Sequence, residues 1–199
     1  MAITTYAGLK TAIATWLARD DLTDNIPDFI ALFEATAARR LRVRLQKKTI
    51  TIYPDAGEAT LPTDFAGSVR MVFKGASDSV LDYVSAPQLD LQYPDSVSGT
   101  PAIYTIEGTT IRIRPATDDE LEFTYYQKTP ALATKLNWLF QNHPDLYLFG
   151  SLVEAEVFNK DAERAAVWKG RRDELFEEII KQDFNERPAM AVYHTGATP

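Results

Sequence analysis

The hydrophobic period of this chain changes twice. Up to about residue 45, apolar residues recur at helical spacing; from Gln46 they alternate, and from Asn137 the helical spacing returns. Two helical hairpins are thus interrupted by a strand-rich segment. The helical lobe has to be closed by non-contiguous stretches, residues 1–45 and 137–187, with 46–136 inserted as a β-rich lobe. The expected class is α+β: a discontinuous helical bundle of two N-terminal and two C-terminal helices, an inserted antiparallel β lobe, and an extended C-terminal tail at 188–199.

Thr4 and Thr5 can cap a first helix running to about Ala18, with Leu9, Ile13, Trp16 and Leu17 inward. Residues 19–25 are rich in Asp, Asn and Thr, which bond their own backbone and break the helix. Pro27 suits the start of a second helix, whose stripe is Ile26, Phe29, Ile30, Phe33, Ala37 and Leu41. A third begins at Pro144 and carries Leu146, Tyr147, Leu148, Phe149, Leu152, Val153, Val157 and Phe158. Being apolar on most sides, it should be central and touched by several neighbours. Asp161 can cap a fourth, burying Ala165, Trp168, Leu175, Phe176, Ile179, Ile180 and Phe184, with Glu177 and Lys181 paired outward. Gly170 inside that helix suggests a close helix crossing. Pro188 stops it.

In the middle segment, Thr49–Ile52 alternates and the turn Pro54–Gly57 leads to Glu58–Leu61, which reads as a hairpin. Val69, Met71 and Phe73 form a further strand, followed by Val80–Val84. Ser85 can cap one or two helical turns over Ala86–Tyr93. Ile103–Glu107 and Thr110–Arg114 pair around Gly108, and Leu121, Phe123 and Tyr125 mark the last strand.

Little in the chain points to chemistry. Cysteine is absent, which excludes disulfides and thiolate metal sites and fits a reducing compartment. No run of about 18 apolar residues occurs, so no membrane-spanning helix is expected, and the first residues lack a secretory pattern. Only His143 and His194 could serve as a histidine base; the first precedes a helix-starting proline and the second lies in the tail. Gly150-Ser151 sits inside a helix, away from any strand-to-helix elbow. The glycines read as isolated turn residues without a phosphate-loop ending. The carboxylate groups Asp20-Asp21-Asp24 and Asp118-Asp119-Glu120 fall at breaks where aspartate is favoured anyway, and neither has calcium-loop spacing. Glu154 and Glu156 point in different directions on their apolar helix, and at least one should pair with an arginine, within the chain or across a subunit boundary. The chain is therefore read as a non-enzyme without cofactor or metal.

A basic cluster remains: Arg39, Arg40, Arg42, Arg44, Lys47 and Lys48. Helical spacing spreads the arginines around the helix, and cations at a helix C-terminus stabilise it unaided. The net charge of −7 also lacks the basic footprint of a phosphate-gripping protein. A structural or interface role is favoured over DNA contact.

Two regions together carry a resemblance. One contains Tyr6-Ala-Gly-Leu-Lys10, Trp16-Leu-Ala-Arg-Asp-Asp21, Ile26-Pro-Asp-Phe-Ile-Ala-Leu-Phe-Glu-Ala35 and Arg39-Arg-Leu-Arg-Val-Arg44. The other contains Asn137-Trp-Leu139, Asn142-His-Pro-Asp-Leu-Tyr-Leu-Phe-Gly-Ser-Leu-Val-Glu-Ala155, Glu163-Arg-Ala165 and Trp168; between them lie Leu61-Pro-Thr-Asp-Phe65 and Ile111-Arg-Ile-Arg-Pro115. Over about residues 5–187 the chain resembles head-to-tail adaptor (connector) proteins of tailed bacteriophages. The resemblance implies a virion protein at the neck, made in the host cytoplasm and forming a homo-oligomeric ring, usually of twelve copies, beneath the portal protein. Such a ring extends the channel through which packaged DNA passes and offers a platform to other tail or nozzle proteins. It also implies a C-terminal segment reaching along the portal, for which Met190, Val192 and Tyr193 are the sizeable apolar groups. The alternatives are a nucleic-acid-binding module using Arg39–Lys48, and less favoured, a cell-wall glycan hydrolase.

Overall fold

The computed structural model describes residues 3–19, 21–94 and 99–186. In chain order the elements are α1 (Tyr6–Leu17), α2 (Ile26–Arg40), a 3₁₀ turn (Arg44–Gln46), β1 (Lys47–Ile52), β2 (Glu58–Thr60), β3 (Phe65–Phe73), β4 (Ser79–Tyr83), α3 (Ala86–Gln92), β5 (Ile103–Glu107), β6 (Thr110–Arg114), β7 (Leu121–Gln127), α4 (Trp138–Asn142), α5 (Pro144–Phe158) and α6 (Ala162–Asn185). This is the expected α+β class, with helices at both ends of the sequence. Contacts divide the chain into two compact units, one of Met1–Leu41 with the chain from Pro130 onward, the other of Arg42–Thr129. The residues 188–199, read from sequence as a tail, lie outside the described residues.

In the helical unit, α1 starts where Thr5 Oγ1 accepts from the Gly8 amide at 3.0 Å, and ends with Ala18 in the left-handed conformation. Asn137 caps α4 by accepting from Phe140 N, and Asp161 caps α6 by accepting from Arg164 N at 3.0 Å. Such caps satisfy amides that a helix start leaves without partners. Helix α5 packs against α1, α2, α4 and α6, the central position its apolar sequence requires. Its last turn opens to solvent: Val157 is 61% and Phe158 54% exposed.

The tightest crossing is between α2 and α5. A Cβ built on Gly150 would lie 2.0 Å from Cδ2 of Phe33, so the missing side chain is what admits the ring. Phe33 is fully buried and its centroid lies 5.1 Å from that of Tyr147 and 6.3 Å from that of Phe176. Gly170 differs from the sequence expectation. It is exposed, and a Cβ added there would meet nothing within 4 Å, so the close crossing belongs to Gly150 and not to Gly170.

The inward face of α6 also differs. It comprises Ala165, Arg172, Leu175, Phe176, Ile179 and Asp183, while Ile180 and Phe184 face outward. The buried stripe runs at i, i+3 and i+4 through two charged residues, which an apolar count alone passes over. Glu177 does not pair with Lys181; it lies 3.9 Å from Arg40.

The other unit is built on a seven-stranded sheet in the order β1-β7-β3-β4-β5-β6-β2. All neighbours are antiparallel except β4 and β5, which are parallel and flank α3 in sequence, as a parallel pair needs a crossover. Met71, Leu81, Tyr104, Ile111, Ile113, Leu121, Phe123 and Tyr125 form one cluster, joined by Ile50 and Ile52 of β1 and Ala59 of β2. Residues from both sheet edges thus enter one core, and the sheet is curled. The hairpin expected around Pro54–Gly57 is half correct. The turn forms, with Asp55 and Glu58 exchanging backbone hydrogen bonds at 2.8 and 2.9 Å, but β1 pairs with β7 and β2 with β6. Gly57 has φ +78°, and a Cβ there would lie 2.8 Å from the Ile113 carbonyl oxygen, which leaves glycine as the fitting residue.

The two helical glycines should respond oppositely to a methyl group. Gly150→Ala should lower stability by about 1–3 kcal/mol through overpacking against Phe33. Gly170→Ala, in open space, should raise it by up to about 1 kcal/mol. Thermal or urea unfolding of the two variants checks both signs; equal effects would place the crossing elsewhere.

Candidate interaction surfaces

Several groups weighed for catalysis are taken up in structural roles among the described residues, and His143 is half-buried. His143 ends α4 and precedes α5; burial lowers its pKa, against a smaller raising effect of Asp145. Ser151 is fully buried inside α5. Asp118 accepts from the Ala56 amide at 2.7 Å, Asp119 from the Thr117 hydroxyl at 3.1 Å, and Glu120 from the Tyr53 hydroxyl at 3.2 Å. These carboxylates fasten loops. Asp21 is held by Arg19, with Nε donating at 2.9 Å, whereas Asp20 and His194 lie outside the described residues. Among the described residues, no three His, Asp or Glu side chains are grouped to hold a metal ion.

The basic cluster is drawn into intrachain contacts. Arg39 donates to Thr36 at 3.1 Å. Arg40 pairs with Asp173 and lies over the Phe176 ring at 4.3 Å, tying the end of α2 to α6. Arg42 donates to the Ala66 carbonyl at 3.5 Å, and Arg44, in the 3₁₀ turn, is likewise engaged. Lys47 lies 5.9 Å from the Tyr126 ring centroid, and Lys48 bonds Asp64 at 2.8 Å. The Asp64 carboxylate also accepts from Tyr125 OH at 2.7 Å, and the Lys48 and Tyr125 hydrogen bonds hold it below its ordinary pKa despite opposing burial. Arg39 and Arg40 belong to the helical unit and the other four to the strand unit.

Besides Asp183 on the inner face of α6, two carboxylates of the helical unit are drawn inward, Glu156 buried and Glu34 half-buried. Glu156 is 1% exposed and meets Arg164 Nη2 at 3.0 Å, a charge contact rather than an aligned hydrogen bond; Asn159 Nδ2 donates to its other oxygen at 3.3 Å. The arginine partner expected from sequence is present within the chain. Sequence reasoning missed the second, Glu34. Its Oε1 accepts from Leu132 N at 2.7 Å and from Tyr147 OH at 3.0 Å. Asn137 Nδ2 donates to Tyr147 OH and to the Pro130 carbonyl, both at 2.8 Å. The signal available was a lone glutamate on the apolar side of α2, one residue after Phe33.

Several large apolar side chains of the helical unit face solvent. Trp16, Phe149 and Trp168 pack where α1, α5 and α6 meet, with centroids 5.5–5.8 Å apart, and Trp16 remains 45% exposed. Along α6, Val167, Ile180 and Phe184 are exposed, Phe184 by 68%. No described helix is long and apolar enough to cross a membrane. The portal-docking candidates Met190, Val192 and Tyr193 lie outside the described residues.

A family profile described as SU10 adaptor protein matches residues 4–194. No curated protein matches the chain.

Glu34 yields a pH test. Burial raises its carboxyl pKa, outweighing the hydrogen bonds from Leu132 N and Tyr147 OH. With the folded-state value above the unfolded one, its stabilising contribution is complete below the ordinary carboxylate pKa and lost as pH rises through the raised value. Glu34→Gln keeps an acceptor oxygen without the charge. It should melt above wild type at about pH 7.5, and the gap should close toward about pH 4. Melting curves that run parallel across this range would show that Glu34 does not titrate differently on folding.

Proposed function

Because the chain belongs to the SU10 adaptor protein family, we propose that it is a structural virion component joining the head of a tailed bacteriophage to its tail. The profile match over residues 4–194 carries this reading. In it, copies of the chain assemble side by side into a ring under the portal protein, twelve being the number the resemblance implies. The ring continues the DNA channel and presents a platform to tail or nozzle proteins. The role requires no cofactor and no bond-making step.

The placement of charge supports a passage for DNA over a grip on it. Nucleic-acid binding needs Lys and Arg free to neutralise phosphates, whereas Arg40 and Lys48 are committed to Asp173 and Asp64. The net charge of −7 repels a passing duplex and limits sticking. Steep, salt-dependent binding to duplex fragments would instead favour the nucleic-acid-binding alternative. Clearing on a peptidoglycan zymogram would favour the hydrolase.

Self-assembly of an acidic chain sets like charge against like charge. Salt screens this repulsion, with a Debye length of about 10 Å at 0.1 M. Sedimentation velocity over a salt series should show association that strengthens from low to moderate ionic strength. Tight rings indifferent to salt would overturn the electrostatic part of the reading.

The segment 189–199 is assigned to portal attachment through Met190, Val192 and Tyr193. Ordering it on docking costs conformational entropy that those apolar contacts must offset. Deleting 189–199 should leave the melting temperature nearly unchanged and impair attachment to DNA-filled heads, scored by electron microscopy. Undiminished attachment would dismiss the tail as an anchor.

A further inference from the structure

The outward face of α6 carries a single apolar groove. Gly170, Glu174, Glu177 and Lys181 succeed one another at spacings of three and four residues, and with Ile180 beside them they line it along the helix. Ile180 keeps 39% of its surface exposed. At the N-terminal end of the groove, a Cβ added to Gly170 would meet nothing within 4 Å, so a side chain arriving there from elsewhere has room. Phe184 borders the other end and is already engaged; its contacts stay as they are. The rim carboxylates are partly paired, Glu174 with Arg171 at 2.9 Å and Glu177 near Arg40 at 3.9 Å. They still disfavour nucleic acid and the acidic surface of another copy.

A segment that fits is joined to the same helix. Residues 187–199, outside the described residues, contain Arg187, Met190, Val192 and Tyr193 and no Asp or Glu. Pro188 cannot continue α6, so the chain leaves the helix axis beside the groove. At a rise of 1.5 Å per residue, Ile180 lies about 7.5 Å and Gly170 about 22 Å back along the helix from Asn185. Met190 and Tyr193, five and eight residues past Asn185, reach about 17 Å and about 27 Å when extended. Both distances are covered, and the apolar groups arrive in the order the groove needs.

We propose that residues 189–193 fold back onto the α6 groove of their own chain, with Met190 and Val192 against Ile180 and Tyr193 over the open space at Gly170. A short tether holds the segment at an effective concentration on the order of millimolar, so a few apolar contacts suffice without a large interface. In the free chain the contact is a latch. It keeps the groups assigned to portal attachment on the molecule's own surface until the portal competes for them. A segment available only part of the time binds its target with an apparent affinity lowered by the unavailable fraction. The fold-back stands on the groove and the tether, whereas its release on attachment rests on the portal role proposed above.

Because the chain has no cysteine, one introduced pair of thiols reports the contact cleanly. Lys181→Cys on the rim and Ala191→Cys in the tail are combined in the full chain, and their disulfide is measured in glutathione buffers by mass spectrometry. The reference is the same pair with Met190→Ser, Val192→Ser and Tyr193→Ser, which keeps the tether and removes the apolar groups. The native tail should show an effective thiol concentration at least about tenfold above the reference. Ile180→Asp should bring it down to the reference value. Equal values for the two tails, or disulfides that form chiefly between molecules, would overturn the fold-back. Its release is read by attachment to DNA-filled heads, where Ile180→Asp should half-saturate at a lower concentration than wild type; an unchanged concentration would overturn the latch. If the thiol result holds while deletion of 189–199 leaves attachment undiminished, the portal role fails and the fold-back remains.

Discussion

The helical unit depends on a phenylalanine ring lying where a side chain is missing. Its helices come from opposite ends of the sequence, so closing them brings together segments more than a hundred residues apart, at the entropic cost of a long loop. Phe33 offsets that cost by filling the space over Gly150, where α2 and α5 cross. From there it reaches Tyr147 on α5 and Phe176 on α6, placing three helices on one aromatic group. Arg40 extends the same contact, covering Phe176 with its guanidinium while pairing with Asp173. A larger residue at 150 would push α5 off α2 and loosen this whole set.

The polar groups of the interior complete that closure. Glu34, Tyr147 and Asn137 form a connected set that takes up Leu132 N and the Pro130 carbonyl where the chain re-enters the helical unit. An irregular segment brought against packed helices exposes backbone groups to a dry environment, and each needs a partner. These side chains supply partners, which explains their burial without invoking reactivity. Glu156 is held in the same manner by Arg164 and Asn159. Interior carboxylates engaged in this way serve the packing of the helical unit.

Much of this organisation was legible in the sequence because period and capping are local. The switch from helical to alternating spacing, Thr5, Asp161 and Pro27 located elements that depend on neighbours a few residues away. Three features were not legible, each for a physical reason. Turn chemistry at Asp55–Glu58 specifies a reversal but not the partner of the strands leaving it, and those found β7 and β6. The inner face of α6 includes Arg172 and Asp183, so counting apolar residues rotated the stripe toward Ile180 and Phe184. A glycine in a helix can mean close approach or open space, and only the position of Phe33 separates Gly150 from Gly170. Met190, Val192 and Tyr193 remain an assignment from sequence.

The sheet order has a further implication. Its two borders, β1 and β2, are successive in the chain and linked by a five-residue turn, Tyr53 to Gly57. An unpaired border presents backbone donors and acceptors that can recruit a strand from another molecule and start uncontrolled polymerisation. Here one border is only three residues long, and the other begins with Lys47 and Lys48, which discourage stacking through charge and bulk. A protein proposed to gather with many identical neighbours gains from this restraint, since crowded copies are kept from joining strand to strand.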